Sequence, residues 1–448
     1  MKPYLLLSLA LCAPLNAVAA SDEELRALRD ELKQLKENYQ QRLEQLESRL
    51  QQAELRAAEP PVAAPVAQVR NEPAASASAY NPAISLILAG NYGNLQRAPA
   101  IPPTGFAMSA HSPAAQGFNL GESELGFSAS IDPRFRGVAT LALGAAGGVS
   151  VENAFVDTTA LGNGVKLRIG RFFSGLGYLN EVHAHAWDFV DQPLVYRALW
   201  NNQLGEDGVQ LKWLAPTDTF VELGAELGRG RGFPGSDRAK NGSGAGVLFA
   251  HVGGDVGVSH NWRVGASLHQ TGQSDWQSVG VPDLLGTPGG VTDAFTGDVR
   301  TGGLDFVWKY APEGNSSSTS LKLQGEYFRR QQSGLLSYNL ATTDSYALTQ
   351  SGWYLQGVYK FLPEWRVGLR YDQLDPGTAT VGALNAANVI SSYGYTPRRT
   401  SVMFDYSPSE FSRLRLQLAR DQSRQALPDN QLFLQYLMSL GAHGAHGY

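Results

Sequence analysis

The chain has 448 residues, and 36 Lys and Arg against 41 Asp and Glu leave a formal charge of −5, too small an imbalance to imply nucleic acid as a partner. Its single cysteine, Cys12, rules out a disulfide framework. Past the first twenty residues no apolar run approaches the roughly 20 residues that a membrane helix needs. A mean hydropathy of −0.21 would suit a soluble protein. It suits barrel strands equally well, because their side chains face lipid and a polar lumen in turn.

Residues 1–20 read as a secretory signal peptide. Lys2 is followed by the apolar stretch Tyr4–Leu11 and by the small residues Ala17-Val18-Ala19-Ala20, which predicts cleavage before Ser21. Cys12 then leaves with the signal. Leu11 before it is too bulky for the small residue that precedes an acylated cysteine, and the mature chain has no thiolate to offer a metal.

Residues 21–56 predict an α-helical coiled coil in the periplasm. Leu25, Leu28, Leu32, Leu35 and Tyr39 stand at alternating spacings of three and four, the a and d positions. A four-residue stutter follows before Leu46 and Leu50, where the supercoil should locally unwind. A seam this narrow has nothing to bury it in a monomer. A homo-oligomer is therefore expected, through the coiled coil and the barrel sides, with a trimer favoured, although leucine at both positions does not itself separate dimer from trimer. Residues 57–80, with Pro60, Pro61, Pro65 and Pro73, form an extended Ala/Pro-rich linker.

From residue 81 to 448 the pattern predicts an all-β transmembrane barrel of about sixteen antiparallel strands. They fall near 83–92, 119–131, 134–144, 149–160, 165–173, 203–214, 219–229, 245–257, 262–273, 299–310, 317–330, 351–362, 365–375, 397–407, 411–423 and 430–441. Trp353, Leu355, Tyr359 and Phe361 share one face, as do Trp365, Val367, Leu369 and Tyr371. These faces should meet lipid, with aromatic residues as interface girdles. Connections alternate between tight turns, such as Asp132-Pro133 and Pro363-Glu364, and long ones such as Gly230–Gly244, Ser274–Asp298 and Gly377–Tyr395. Short turns belong on the periplasmic side of an outer-membrane barrel and long loops outside.

The opposite faces carry Lys166, Arg168, Arg366, Arg370, Arg413 and Arg415, with Asp372 and Asp405 among them. A charge on the lipid face costs about 2–4 kcal/mol near the midplane, so these side chains are expected to line the pore. The four arginines on neighbouring strands suggest a basic wall, and walls of charge are how pores select ions. One long loop, Ser174–Asn202, holds Trp187, Phe189, Leu194, Tyr196 and Trp200. Such residues fit packing against the inside of the barrel. Within the loop His183 and His185 are two apart, which in extended backbone puts both imidazoles on one face. With Asp188, Asp191 or Glu181 they offer N/O ligands suited to Zn²⁺. His443 and His446 form a second, weaker pair. The alternative is that His183 and His185 hold the loop by hydrogen-bonding lumen carboxylates. No Ser/His/Asp order, phosphate-binding glycine loop or paired-carboxylate motif stands out, which argues against an enzyme, and no cofactor is required.

Several segments resemble a known group. They include Asn81-Pro82-Ala83-Ile84-Ser85-Leu86, Leu120-Gly121-Glu122-Ser123-Glu124-Leu125, Gly170-Arg171-Phe172-Phe173-Ser174-Gly175-Leu176-Gly177-Tyr178, His183-Ala184-His185-Ala186-Trp187-Asp188-Phe189 and Asp191-Gln192-Pro193-Leu194-Val195-Tyr196-Arg197. The chain is similar to proteobacterial outer-membrane proteins often labelled zinc-regulated or TonB-dependent outer-membrane receptors. The resemblance implies an outer-membrane barrel linked to zinc, as cargo or as a regulator. A true TonB-dependent receptor has 22 strands and a plug domain, whereas a coiled coil and linker stand here before about sixteen strands. The expectation is therefore a porin-like channel for small hydrophilic solutes, zinc or another divalent metal included. An energy-coupled metal receptor is one alternative. The other is a structural tether, its coiled coil reaching toward peptidoglycan and its barrel held in outer-membrane lipid.

Overall fold

The structure, a computed structural model, describes residues 82–97, 102–107, 116–144, 147–236 and 241–441. The signal peptide, the coiled coil, the linker and the pair His443 and His446 lie outside the described residues. Eighteen strand segments form one sheet. They are β1 (Ala83–Asn94), β2 (Gly117–Leu120), β3 (Ser123–Asp132), β4 (Phe135–Leu143), β5 (Val149–Thr158), β6 (Val165–Phe173), β7 (Gly205–Leu214), β8 (Phe220–Gly228), β9 (Ala245–Val256), β10 (His260–Val281), β11 (Val291–Tyr310), β12 (Ser320–Tyr338), β13 (Thr342–Leu362), β14 (Trp365–Asp375), β15 (Thr380–Val381), β16 (Arg398–Ser409), β17 (Ser412–Gln422) and β18 (Asp429–Gly441). Segments β2 and β3 follow one another along the same partner, β1, and β15 is a two-residue addition to β13. Sixteen antiparallel strands therefore span, and β1 pairing with β18 closes them into a barrel. Closure leaves no unpaired edge, which is the condition for strands to cross hydrocarbon.

Alternation decides which way each side chain points. On β6 the residues Leu167 and Ile169 face out while Lys166 and Arg168 face in, and on β17 Leu414 and Leu418 face out while Arg415 and Gln417 face in. The outer face gathers Ile169, Leu211, Leu223, Leu248, Leu268, Leu304, Leu355 and Leu369, all well exposed. Near the tight turns aromatic rings collect on it: Trp308 stacks with Tyr310 at 6.3 Å between centroids, and Trp365 lies 4.7 Å from Tyr406. An apolar belt edged by aromatic rings is the surface lipid selects.

Two long connections differ from the expectation. Residues 274–298 and 331–350, which the sequence suggested as loops, are mostly paired strand. β10 to β13 run 22, 20, 19 and 21 residues, against the 9–11 or so that cross a membrane. The hairpins thus project well past the apolar belt on the long-loop side. They carry a small core of their own, Phe295, Val299 and Leu336, on which Val389 packs. Asn385 ties the covering loop down by donating to the carbonyls of Leu336 and Thr342 at 3.1 Å each. Alternation there is hidden by Gly, Ser and Thr, because beyond the belt neither face needs to be apolar.

Candidate functional site: an inward loop gripped by the barrel wall

The connection between β6 and β7 turns into the lumen. It contains a 3-10 turn, Ala184–Ala186, and one short helix, α1 (Leu194–Trp200), every residue of which is buried. Pro193 precedes α1 with helix-compatible φ, and Asn201, at φ 50°, ends it in the left-handed region that asparagine tolerates. The first free N–H of α1 is met from the wall: Leu194 donates to Asp372 Oδ1 at 3.0 Å.

The loop brings an apolar core into a polar lumen, and the wall answers it. Leu176, Leu179, Trp187, Leu194, Val195, Tyr196, Leu199 and Trp200 pack on Val247 and Phe249 of β9, Phe328 of β12, Tyr354 of β13 and Leu374 of β14. Trp200 meets Phe328 edge-on at 4.4 Å between centroids. Two glycines permit the approach. A Cβ on Gly175 would lie 2.5 Å from the Phe249 ring, and Gly177, at φ +66°, would place one 2.2 Å from Glu326 Oε2. Around Gly177 the wall carboxylate of Glu326 collects four donors: the amides of Tyr178 (2.9 Å) and Leu179 (3.1 Å) and the hydroxyls of Tyr196 (2.8 Å) and Tyr354 (2.6 Å).

An irregular segment inside a barrel must find partners for its backbone carbonyls. Here arginines supply them. Arg263 donates to Gly177 O (2.8 Å), Arg413 to His185 O (2.7 Å), Arg415 to Trp187 O (2.9 Å) and Arg370 to Asp191 O (2.7 Å). The loop's two aspartates neutralise the same wall. Asp191 pairs with Arg370 at 2.8 Å and with Arg399, and Asp188 pairs with Arg366 at 3.2 Å and with Lys322. Burial pushes both carboxyls up. Arg399 and Arg370 around Asp191, and Lys322 and Arg366 around Asp188, outweigh it and hold both below the usual carboxylate range. Both aspartates are therefore ionised at neutral pH.

The opposite edge of the loop rests on acids placed by two β-bulges. Along β1, Gly90 pairs with Leu120 and Ile87 with Glu124, so the β2–β3 strand carries one residue more than its partner. The gap in the ladder is filled by the Ser123 hydroxyl, which accepts the Ala89 N–H at 3.0 Å. One extra residue exchanges the faces: Phe118 and Leu120 point out before it, and Glu124 points in after it, buried. A second bulge, at Glu152 between the pairs Thr140–Asn153 and Leu141–Val151, brings both Glu152 and Asn153 to the loop. His185 Nδ1 lies 2.7 Å from Glu124 Oε1. His183 Nδ1 lies 3.2 Å from both Glu124 Oε2 and Glu152 Oε2, and the Asn153 amide is 2.8 Å from its Nε2.

The structure thus parts residues that the sequence grouped together. His183 and His185 meet Glu124, not Asp188 or Asp191, which face arginines. Glu181 is bound to Lys212 at 2.9 Å. Arg370 and Arg415 are covered by the loop rather than open to a solute, whereas Lys166 and Arg366 stay partly open, their side chains 45% and 27% exposed. Arg168 and Lys166 share Asp157, and Asp405 is shared by Arg415 and Arg366. Glu326 belongs to the acids expected on the lumen faces, whereas Glu124 and Glu152 carried no role in the sequence, although two acids around Ser123 that break strand alternation do signal a bulge.

A closed sixteen-stranded antiparallel barrel with a wall-anchored inward loop is a porin-like architecture. No protein-family model matches the chain. It is 30% identical over 358 residues to an uncharacterized protein of Aquifex aeolicus (strain VF5), spanning 74% of this chain and 70% of that one, and it belongs to the same family. Among solved structures it is similar to a loop L8 deletion mutant of OmpT, an outer membrane protein of Vibrio cholerae. That match has 14% identity and a TM-score of 0.50, over 81% of this chain and 100% of the other. It also aligns with an anion-selective porin from Comamonas acidovorans at 12% identity and a TM-score of 0.49, over 80% and 99% of the two chains.

Proposed function

We propose that the chain is a passive outer-membrane channel for small hydrophilic solutes, and that the inward loop sets its bore. The observation that carries this is the double anchorage of the loop: arginines of β10, β14, β16 and β17 grip one edge and the bulge-placed glutamates hold the other. A segment so tied cannot swing out at each passage, so solutes pass a fixed constriction rather than a moving plug. Sixteen strands suit an aqueous channel, and 22 suit a plugged transporter, so an energy-coupled receptor finds no support in the barrel. Assembly as a homo-oligomer through the barrel sides is part of this proposal; its coiled-coil part, and the tether reading with its reach toward peptidoglycan, lie outside the described residues.

Orientation follows from the connections, with tight turns periplasmic and projecting hairpins outside. Protease added to whole cells should therefore cut only on the hairpin side, within 282–290 or 382–395. Cleavage at Pro363-Glu364 in intact cells would invert the topology.

Within this reading a divalent cation such as zinc is one of the solutes, touching Glu124, His183 and His185 in transit. Their ligand atoms all lie within 4.8 Å of one another, as do those of Glu122, Glu124 and Glu152. Imidazole with carboxylate is a donor set that zinc accepts, and passage requires that the contact be weak. Replacing His183 and His185 together by alanine removes one anchor of the loop as well as the ligands, and it should lower zinc conductance relative to that of uncharged sugars. Equal changes in both would make the pair an anchor only.

A further inference from the structure

On the long-loop side, besides Arg171 of β6, which pairs with Asp207 at 2.6 Å, four arginines face outward. They are Arg300 of β11, Arg329 of β12, Arg398 of β16 and Arg420 of β17, all exposed. Register places them in two diagonal pairs. Arg329 is opposite Gly302, two residues from Arg300, and Arg420 is opposite Thr400, two residues from Arg398. Diagonal neighbours of this kind sit about 7–8 Å apart, within reach of long side chains. Two residues nearer the belt, the same faces carry Tyr327 beside Arg329 and Leu418 beside Arg420, both exposed. The arginines therefore stand at the edge of the apolar belt, where lipid headgroups begin. None of the four has a side-chain partner among the described residues, and the acids facing out nearby are Asp298 and Asp375.

The other rim has the opposite character. Its turns expose Asp132, Asp218, Glu313, Glu364 and Glu410, with Arg134. A barrel needing only solubility at its rims would have no reason to differ between them. Guanidinium groups match phosphate with forked donors, whereas acids repel it.

We infer that this arginine band binds the phosphates of glycolipid headgroups in the outer leaflet, so that the barrel carries a site for a phosphorylated lipid on its outer wall. The inference rests on the outer-membrane reading above. The diagonal pairs let two guanidinium groups share one phosphate, which a single arginine on a flat strand cannot do. Because the contact is exposed, salt should weaken it.

The test uses the full chain, folded in detergent micelles and titrated with diphosphoryl lipid A, with its dephosphorylated counterpart and with inorganic phosphate. The wild type should bind the diphosphoryl form at least about tenfold more tightly than the variant with all four arginines changed to glutamine, since each basic group near an anionic surface adds several-fold. Heat-modifiable electrophoretic mobility should show both proteins equally folded. Equal affinities of wild type and variant, or equal affinity for the dephosphorylated lipid, overturn the proposal. So does binding of inorganic phosphate as tight as that of lipid A, which would indicate a free-anion site. A smaller oligomer for the variant without lipid would assign the band to contact between copies and also overturn it. A variant too unstable to fold is replaced by the pair R398Q/R420Q, for which the same outcomes apply at reduced size. If the chain fails to insert into bilayers at all, the outer-membrane reading falls and the proposal with it. Insertion without lipid discrimination removes the proposal alone.

Discussion

Replacing Asp191 by alanine is expected to release the inward loop and to destabilise the folded chain by about 3–5 kcal/mol, the cost of leaving buried cations without their counter-charge. Asp191 sits between Arg370 and Arg399, and all three side chains are nearly inaccessible. Removing the carboxylate strands two guanidinium groups at once. Asp372 still pairs with Arg370 at 3.0 Å and stands opposite Arg399 on the neighbouring strand, but it also holds the N–H of Leu194, so it offsets only part of the loss. Exchanging the cluster together (Asp191→Leu, Arg370→Met, Arg399→Met, with Asp372→Asn to keep an acceptor for the Leu194 N–H) should recover most of the stability, because these four positions then hold no unpaired charge. Thermal unfolding of the three proteins in one detergent checks both halves. If the single variant is as stable as the wild type, the ion pairs do not hold the loop.

Glu326→Ala is expected to act as strongly through a different chemistry. Four donors converge on this carboxylate, two from the loop backbone and two from phenols, and the site is buried. Alanine leaves all four without an acceptor, and each unsatisfied buried donor costs about 1–3 kcal/mol. Gly177 adds specificity, since its positive φ and its close approach leave room for Glu326 and nothing larger. The loop should loosen at Tyr178 and Leu179 first, with faster amide exchange there than in β12. Glu326→Gln keeps an acceptor and should lose much less. Equal losses for both variants would mean that both carboxylate oxygens are needed and that one acceptor does not suffice; no loss for Glu326→Ala would mean that the four contacts do not hold the loop.

Much of this was legible in the chain. Sixteen strands could be counted because lipid demands an apolar residue at every second position, and that demand shows in Leu414, Leu416 and Leu418. The inward course of the loop could be read from Trp187, Phe189, Tyr196 and Trp200, since aromatic residues outside the belt have nothing to bury them. What could not be read depends on contacts between strands far apart in sequence. Arg370 and Arg415 pointed inward as expected, but only the folded loop shows that they face its carbonyls rather than a solute. Glu124 was hidden by its bulge: counted along an unbroken strand it falls on the lipid face with Leu120. Val247, Phe249 and Phe328 depart from a polar lumen, and this marks where the loop docks. Singly, they read as noise in a two-residue pattern.

A passive channel of this kind requires that the inward loop set the bore. Single-channel conductance in planar bilayers tests this most directly, with wild-type protein compared against a variant in which residues 179–199 are replaced by a short Gly/Ser linker. Sixteen paired strands close without the loop, so the variant should still insert, and its conductance to potassium chloride should rise several-fold. A folded, inserted variant with wild-type conductance would contradict the account.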